Sequence, residues 1–181
     1  MSTEKSDVSV RTGGDEDIES ARAVLAAGYA EYEKVFPAEN WAPYIKDILD
    51  LEGRASESEL VVAESDGTIV GCVSYFSPGA KASYPTDSFS EHWPSDWAAF
   101  RLLAVDPAAR RRGIGRLLTE ACIARAREQG APTLGLHTTE PMAVARAMYE
   151  RMSFERALRY DFRPSPTILV EAYRLLLSDR P

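Results

Sequence analysis

Leu102-Leu103-Ala104-Val105-Asp106-Pro107 leads, two alanines later, into Arg110-Arg111-Arg112-Gly113-Ile114-Gly115. The apolar run from Ala98 to Val105 reads as a buried strand, and Asp106-Pro107 stops it. Beyond the glycines, Ile114, Leu117, Leu118, Ala121 and Cys122 fall at i, i+3, i+4, i+7 and i+8. That spacing is the stripe of an amphipathic helix, expected to run to about Gln129 before Gly130 and Pro132 end it. A glycine turn between a strand and a helix lets backbone approach a ligand closely. The first N–H groups of the helix lack intrahelical partners and lie at the positive end of its dipole. Such a turn suits a pyrophosphate, and Arg110, Arg111, Arg112 and Arg116 add positive charge. It is neither of two familiar glycine loops. Leu118 stands where a dinucleotide fingerprint has its third glycine, and no Gly-Lys-Ser/Thr follows. Taken alone, the hexapeptide also fits a simple turn with solvated arginines.

Working outward, Leu60–Ser65 and Thr68–Phe76 are β-rich runs joined by Asp66-Gly67, a hairpin signal because both turn residues take positive φ. Val8–Arg11 reads as a first strand. Asp15 is the expected N-cap of a helix to about Glu31, and Pro43–Leu51 is expected to be a second helix with Pro43 in its first turn. Ser77–Asp96 is punctuated by prolines and reads as a long loop, functional or merely irregular. Thr133–Thr138 is a strand, Pro141 opens a helix to about Met152, and Arg156–Asp161 and Ile168–Leu177 close the chain as strands. This order gives a mixed α/β sheet flanked by helices, in one domain spanning residues 1–181.

The chain has 181 residues, 27% of them charged and 45% hydrophobic, with a formal net charge of -7. The acidic balance argues against bulk attraction to nucleic acid and makes the local arginines more informative. No apolar run approaches the roughly 20 residues needed to span a bilayer, so no membrane partner is expected. Met1–Asp7 is polar, unlike a signal peptide. Cys72 and Cys122 stand alone in apolar surroundings and read as buried thiols in a reducing, cytoplasmic protein; no metal site is expected.

The strand and turn together resemble the acetyl-CoA motif of the GNAT superfamily of N-acetyltransferases, which runs Arg or Gln, two variable residues, Gly, one variable residue, then Gly or Ala. Arg110, Gly113 and Gly115 match it. At the family's distance, Ala145-Arg146-Ala147-Met148-Tyr149-Glu150-Arg151-Met152-Ser153-Phe154 is similar to the helix-four signature Ala-x-x-Leu-Tyr-Glu-x-x-Gly-Phe. The resemblance implies the GNAT fold: a mixed, mostly antiparallel sheet of about six or seven strands with about four helices. It implies that backbone amides from Arg111 through Ile114 to Gly115 hold the pyrophosphate of acetyl-CoA. Leu103, Ala104 and Val105 would line the pantetheine, whose amides pair with the backbone of Leu103 and Val105. It also places the Tyr149 hydroxyl near the sulfur. Three positions depart from the pattern. Ser153 replaces a glycine, Met142 replaces an asparagine that contacts the cofactor, and Ala99 stands where many relatives carry a glutamate base.

Acyl transfer from a thioester needs a neutral amine, and only about one alkyl ammonium in 2,000 is deprotonated at pH 7. Tyr149 is the expected donor to the leaving thiolate. His137 and Glu140, at the end of the strand beside the acyl group, are the base candidates, with Asp96, Glu91 and His92 secondary. No cysteine nucleophile is suggested, so transfer is expected to be direct, in a ternary complex. Tyr32, Phe36, Trp41, Tyr84, Trp93 and Trp97 either line an acceptor pocket or pack the core. The acidic chain hints at cationic acceptors such as polyamines, aminoglycosides or lysine termini. The acceptor is thus a small-molecule or peptide primary amine. Alternatives are a non-catalytic acyl-CoA-binding module, and an acyltransferase that uses another acyl group or a hydroxyl acceptor. A homodimer stays open.

Overall fold

The computed structural model describes residues 8–80 and 93–177. Its elements are β1 (Val8–Thr12), α1 (Ile18–Tyr29), α2 (Ala38–Leu49), α3 (Leu51–Arg54), β2 (Glu59–Ser65), β3 (Thr68–Phe76), β4 (Ala98–Val105), α4 (Ile114–Glu128), β5 (Thr133–Thr139), α5 (Ala143–Arg151), β6 (Glu155–Arg156), β7 (Phe162–Ser165) and β8 (Ile168–Leu176). The eight strands form one sheet in the order β1-β2-β3-β4-β5-β8-β6, with β7 also pairing β8. Every pairing is antiparallel except β4 with β5.

The hairpin forms as expected: Asp66 and Gly67 sit at φ 51° and 73°, and β2 and β3 pair through seven residue pairs. The sheet buries both faces. On one side Leu118, Cys122 and Tyr149 pack with Phe100, Leu134 and Leu136; on the other Leu25, Trp41 and Ile48 pack with Cys72, Leu102 and Ala104. Both cysteines are free and buried, and loss of hydration pushes the Cys72 thiol up to about 12.

Three local expectations are corrected. Residues Asp15–Asp17 form a 3₁₀ turn rather than an Asp15-capped first turn, and α1 starts at Ile18. The carboxylate of Asp17 instead accepts from the Gly14 N–H at 2.9 Å and pairs with Arg11 at 2.6 Å. The second helix starts at Ala38, with Pro43 in its interior. Its stripe of Trp41, Tyr44, Ile45 and Ile48 packs on the sheet, and that burial outweighs the proline's missing N–H. The tail strand expected over Arg156–Asp161 is only Glu155–Arg156, followed by a 3₁₀ turn at Leu158–Tyr160 and the added strand β7. Here Asp161 turns inward: its carboxylate accepts from the Ala172 N–H at 2.8 Å and pairs with Arg156 at 2.5 Å.

Ser153 keeps the turn that a glycine normally makes. Its N–H reaches the Glu150 carbonyl and the Phe154 N–H reaches that of Tyr149, each at 3.0 Å. The two bonds form a Schellman stop, and the Phe154 and Tyr149 rings meet at 5.8 Å across it. The stop requires φ 68° at Ser153, where a Cβ costs free energy. Ser153→Gly is therefore expected to stabilise the fold by about 1 kcal/mol, raising the melting temperature by about 2–4 °C. An unchanged or lower melting temperature would show that the turn is not strained.

Candidate active site

The parallel strands β4 and β5 pair only at Ala98 with Leu134 and Ala99 with Gly135, and then separate. On its other edge β4 carries a bulge. Cys72 pairs with Ala104 and Ser74 with Arg101, so one β3 residue opposes two on β4, and Leu102 takes φ 57°. Beyond the bulge, the Asp106 N–H reaches the Val70 carbonyl at 2.9 Å. Because peptide groups alternate along a strand, those of Leu103 and Val105 then face the gap rather than β3.

The gap opens into a groove of about 700 Å³ that runs between β4, the start of α4 and α5. Leu103, Ala104, Val105, Arg110, Arg111, Gly113, Ile114, Gly115, Arg116 and Tyr149 all line it, which unites most of the residues expected to hold the donor. At its end, Arg111 and Gly113 take φ 65° and 78°, and Gly113 is the N-cap of α4. This curl, capped by the first free N–H groups of α4, is an anion-binding concavity.

The four arginines have different tasks. Arg110 reaches back to α1, bonding the Gly28 carbonyl at 3.2 Å and Glu31 at 2.7 Å. Arg112 is not among the groove's lining residues; it bonds Ser65 Oγ at 3.0 Å. Arg116 pairs along the helix with Glu120 at 2.8 Å. Arg111 is exposed beside the curl and forms no ion pair among the described residues.

Tyr149 is 5% exposed, with its ring edge-on to Phe100. Burial holds its phenol well above the usual pKa, so it stays protonated at any working pH. Met142 lines the groove where the expected asparagine contact is lost, and Ala99 is buried in the sheet.

A second, smaller cavity of about 80 Å³ lies across the gap, walled by Tyr29, Phe36, Tyr44 and Phe162. Tyr29, Arg101, Leu102, His137, Thr138 and Met142 line both cavities, so the two meet at these residues. His137 Nε2 is 2.9 Å from the Tyr160 carbonyl. A carbonyl can only accept, so Nε2 carries a hydrogen, and in the neutral ring the lone pair is then at Nδ1. The ring is fixed by stacking on Trp93 at 4.5 Å and by the edge of Phe162 at 5.1 Å. Trp93 in turn lies flat over Gly135, where an added Cβ would meet its indole at 3.1 Å.

Glu140 is exposed and lines a neighbouring cleft with Arg146 and Arg163, outside both cavities. Asp96 is exposed and lines none of these spaces, and Tyr84, Glu91 and His92 lie outside the described residues. Of the aromatic candidates, Phe36 walls the small cavity and Tyr32 the groove, while Trp41 is core. Trp97 stacks on Trp93 at 5.4 Å.

Sequence reading missed Arg101, Thr139, Tyr29 and Tyr44. Arg101 did leave a signal, since a lone arginine inside the apolar run Ala98–Val105 needs a reason. Its partner is Asp47 at 3.3 Å, and desolvation draws the guanidinium down to about 10, still cationic at neutral pH.

Among the described residues, no helix is long and apolar enough to cross a membrane. The chain is 38% identical over 71 residues to the [Ribosomal protein bS18]-alanine N-acetyltransferase of Salmonella typhimurium, covering 39% of this chain and 48% of that protein. It is 32% identical over 126 residues to the mycothiol acetyltransferase of Cellulomonas flavigena, covering 65% of this chain and 34% of that one. The chain thus spans about half the length of the first relative and a third of the second. Among solved structures, the fold is similar to the PaiA N-acetyltransferase of Thermoplasma acidophilum, solved with coenzyme A. That match has a TM-score of 0.68 at 14% identity, covering 92% of this chain and 98% of the other. It is also similar to the ribosomal-protein-S18-alanine N-acetyltransferase of Escherichia coli, with a TM-score of 0.65 at 20% identity and 97% of each chain covered. A GNAT acetyltransferase of Brucella melitensis, solved with acetyl-CoA, gives 0.62 at 19% identity, covering 97% of this chain and 92% of the other. The model of the acetyltransferase (GNAT) family matches residues 25–154, and the chain belongs to that family of acyltransferases.

Proposed function

We propose that this protein transfers an acetyl group from acetyl-CoA directly to a primary amine bound in the aromatic cavity. The observation that carries the reading is the meeting of the groove and the small cavity at one gap between β4 and β5. The groove fits the donor: it ends in the anion-binding curl of Arg111–Gly115 and is edged by the peptide groups of Leu103 and Val105. When bound, acetyl-CoA supplies an acetyl group activated as a thioester.

The chain's own residues then have separable roles. Arg111 and the amides through Gly115 hold the pyrophosphate. Tyr149 donates a hydrogen bond to the sulfur as negative charge develops there. Its raised pKa makes it a poor proton source for a thiolate of pKa about 8.5, so it stabilises charge without ionising. On the acceptor side, the Arg101 cation disfavours an ammonium and raises the neutral fraction of the amine. His137 takes the amine's proton at Nδ1, which is closed off from bulk solvent. Glu140, in its separate cleft, is less well placed for that task than His137. The buried thiols Cys72 and Cys122 do not suit acyl-enzyme chemistry, and a cytoplasmic location fits both free cysteines and the donor.

The test is thiol release from acetyl-CoA across a panel of amines. Tyr149→Phe is expected to lower kcat by about 10²-fold with little change in the KM for acetyl-CoA. Gly113→Ala forces a Cβ into the left-handed region and is expected to raise that KM about tenfold with a smaller effect on kcat. Because Tyr149 stays protonated above its ordinary pKa, kcat/KM should rise with pH as the amine deprotonates and should not fall before about pH 10. A decline between pH 8 and 9 would remove Tyr149 as the donor. Amine-independent thiol release, or none while acetyl-CoA still binds by calorimetry, would remove the acyl-transfer reading itself.

A further inference from the structure

The acceptor cavity carries a charge opposite to that of the chain. Among its described lining residues there is no carboxylate, and Arg101 is the one group with a permanent charge. Along β5, side chains alternate between faces: Leu134 and Leu136 enter the core under α4, so His137 and Thr139 point to the other face, with Arg101 and the helices α1 and α2. The Thr139 hydroxyl is buried and has no hydrogen-bond partner among the described residues. An unmet hydroxyl at the wall of a cavity, at 7% residue exposure, is a group that a bound ligand would satisfy.

Arg101 is held in place rather than free to swing. Its side chain is 11% exposed and pairs with Asp47 through Nη2. Asp47 is itself shared with Arg54, at 3.8 Å, and Arg54 also donates to the backbone carbonyls of Asp47 and Ile48. Asp50 also acts on Arg54, so the cluster as a whole is balanced in charge, and what the cavity is shown is the Arg101 guanidinium itself. A wall with one guanidinium and no carboxylate among its described residues opposes a second cation and favours an anion.

We propose that the acceptor is a small amino acid: a primary amine that also bears a carboxylate, with an apolar side chain against Tyr29, Phe36, Tyr44 and Phe162. The carboxylate lies between the Arg101 guanidinium and the Thr139 hydroxyl, and the amine lies at His137, beside the gap. This rests on the acyl-transfer reading above and narrows it. It also reverses the expectation from net charge that polyamines or aminoglycosides are the acceptors. The reaction balances without a further reactant: the amine nitrogen gains the acetyl carbon, the carbon–sulfur bond breaks, and the amine's proton leaves through His137 to the thiolate or solvent.

The test compares, on the full chain with saturating acetyl-CoA, apolar amino acids with their carboxamides and with spermidine. A carboxamide keeps the amine and side chain and loses only the charge. The free carboxylates are expected to exceed the carboxamides in kcat/KM by about tenfold or more, the value of one charge-assisted hydrogen bond. Arg101→Gln is expected to bring the two within about twofold, with the larger loss on the carboxylates. Because that change disturbs a buried ion pair, Thr139→Val serves beside it and should reduce the carboxylate preference about threefold while leaving Asp47 paired. Carboxamides or spermidine acetylated as well as the amino acids overturn the inference and leave acyl transfer standing. If nothing is acetylated, thermal shifts with N-acetylated amino acids and their amides decide. A shift selective for the carboxylate supports the assignment of the cavity, and equal or absent shifts overturn it.

Discussion

Two residue pairs hold β4 to β5, and the proposed chemistry depends on their being only two. Adjacent parallel strands normally bond along their length, since an unpaired peptide group away from water costs about as much as a lost hydrogen bond. Here Ala98 and Ala99 pair with Leu134 and Gly135, and every later residue of both strands is released. The bulge at Leu102 helps to set the divergence, because it turns the end of β4 while keeping it bonded to β3. A non-glycine residue at φ 57° in a strand is strained, and such strain persists only where surrounding packing enforces it. Leu102 is enforced by Ala104, Cys72 and the α1 side of the core. The open peptide edge at Leu103 and Val105 is the result, a strip of backbone hydrogen-bonding groups awaiting an extended partner.

The same gap explains why the sheet has different work on its two faces. The groove is lined from the side of α4 and α5 by Tyr149 and the curl of Arg111 and Gly113, and from the side of α1 by Gly28 and Tyr29, so it passes through the gap. The face under α1 and α2 presents the aromatic cavity, with Arg101 and His137 on its floor. A continuous sheet would separate these spaces by its own thickness. In the proposed reaction the split lets two reactants meet without a covalent relay through the protein; both thiols are buried, and burial keeps them in the unreactive form.

Much of this was legible in the sequence because it is local. The Asp66-Gly67 hairpin, the stripe of α4 and the Gly130 stop each depend on residues within a few turns of one another, and each forms as the pattern dictates. The strand, glycine turn and helix start proposed to hold the donor were legible for the same reason, since they are consecutive. The boundaries that shifted are those decided by particular side-chain bonds rather than by periodicity. Asp17 rather than Asp15 organises the entry to α1 because the Gly14 N–H and the Arg11 guanidinium both bond its carboxylate. Asp161 breaks the expected tail strand because β8 offers it an amide. The acceptor side was least legible. Arg101, His137, Tyr29 and Tyr44 come from four elements, and nothing in their spacing along the chain states that they surround one cavity.

Net charge is a poor guide to such a site, and the reason is visible in where the carboxylates go. Asp17 and Glu64 are engaged by Arg11, Glu31 by Arg110, Glu59 by Arg125, and Glu171 by both Arg146 and Arg156. Those pairs lie at or near the surface, where water and salt reduce their reach to within about a Debye length of 8–10 Å. Arg101, held by Asp47, lines a cavity with aromatic walls, where a charge acts on a ligand through little intervening water. A formal charge of -7 spread over a solvated surface therefore governs how the molecule behaves at a distance, while the proposed selectivity in contact rests on this one guanidinium.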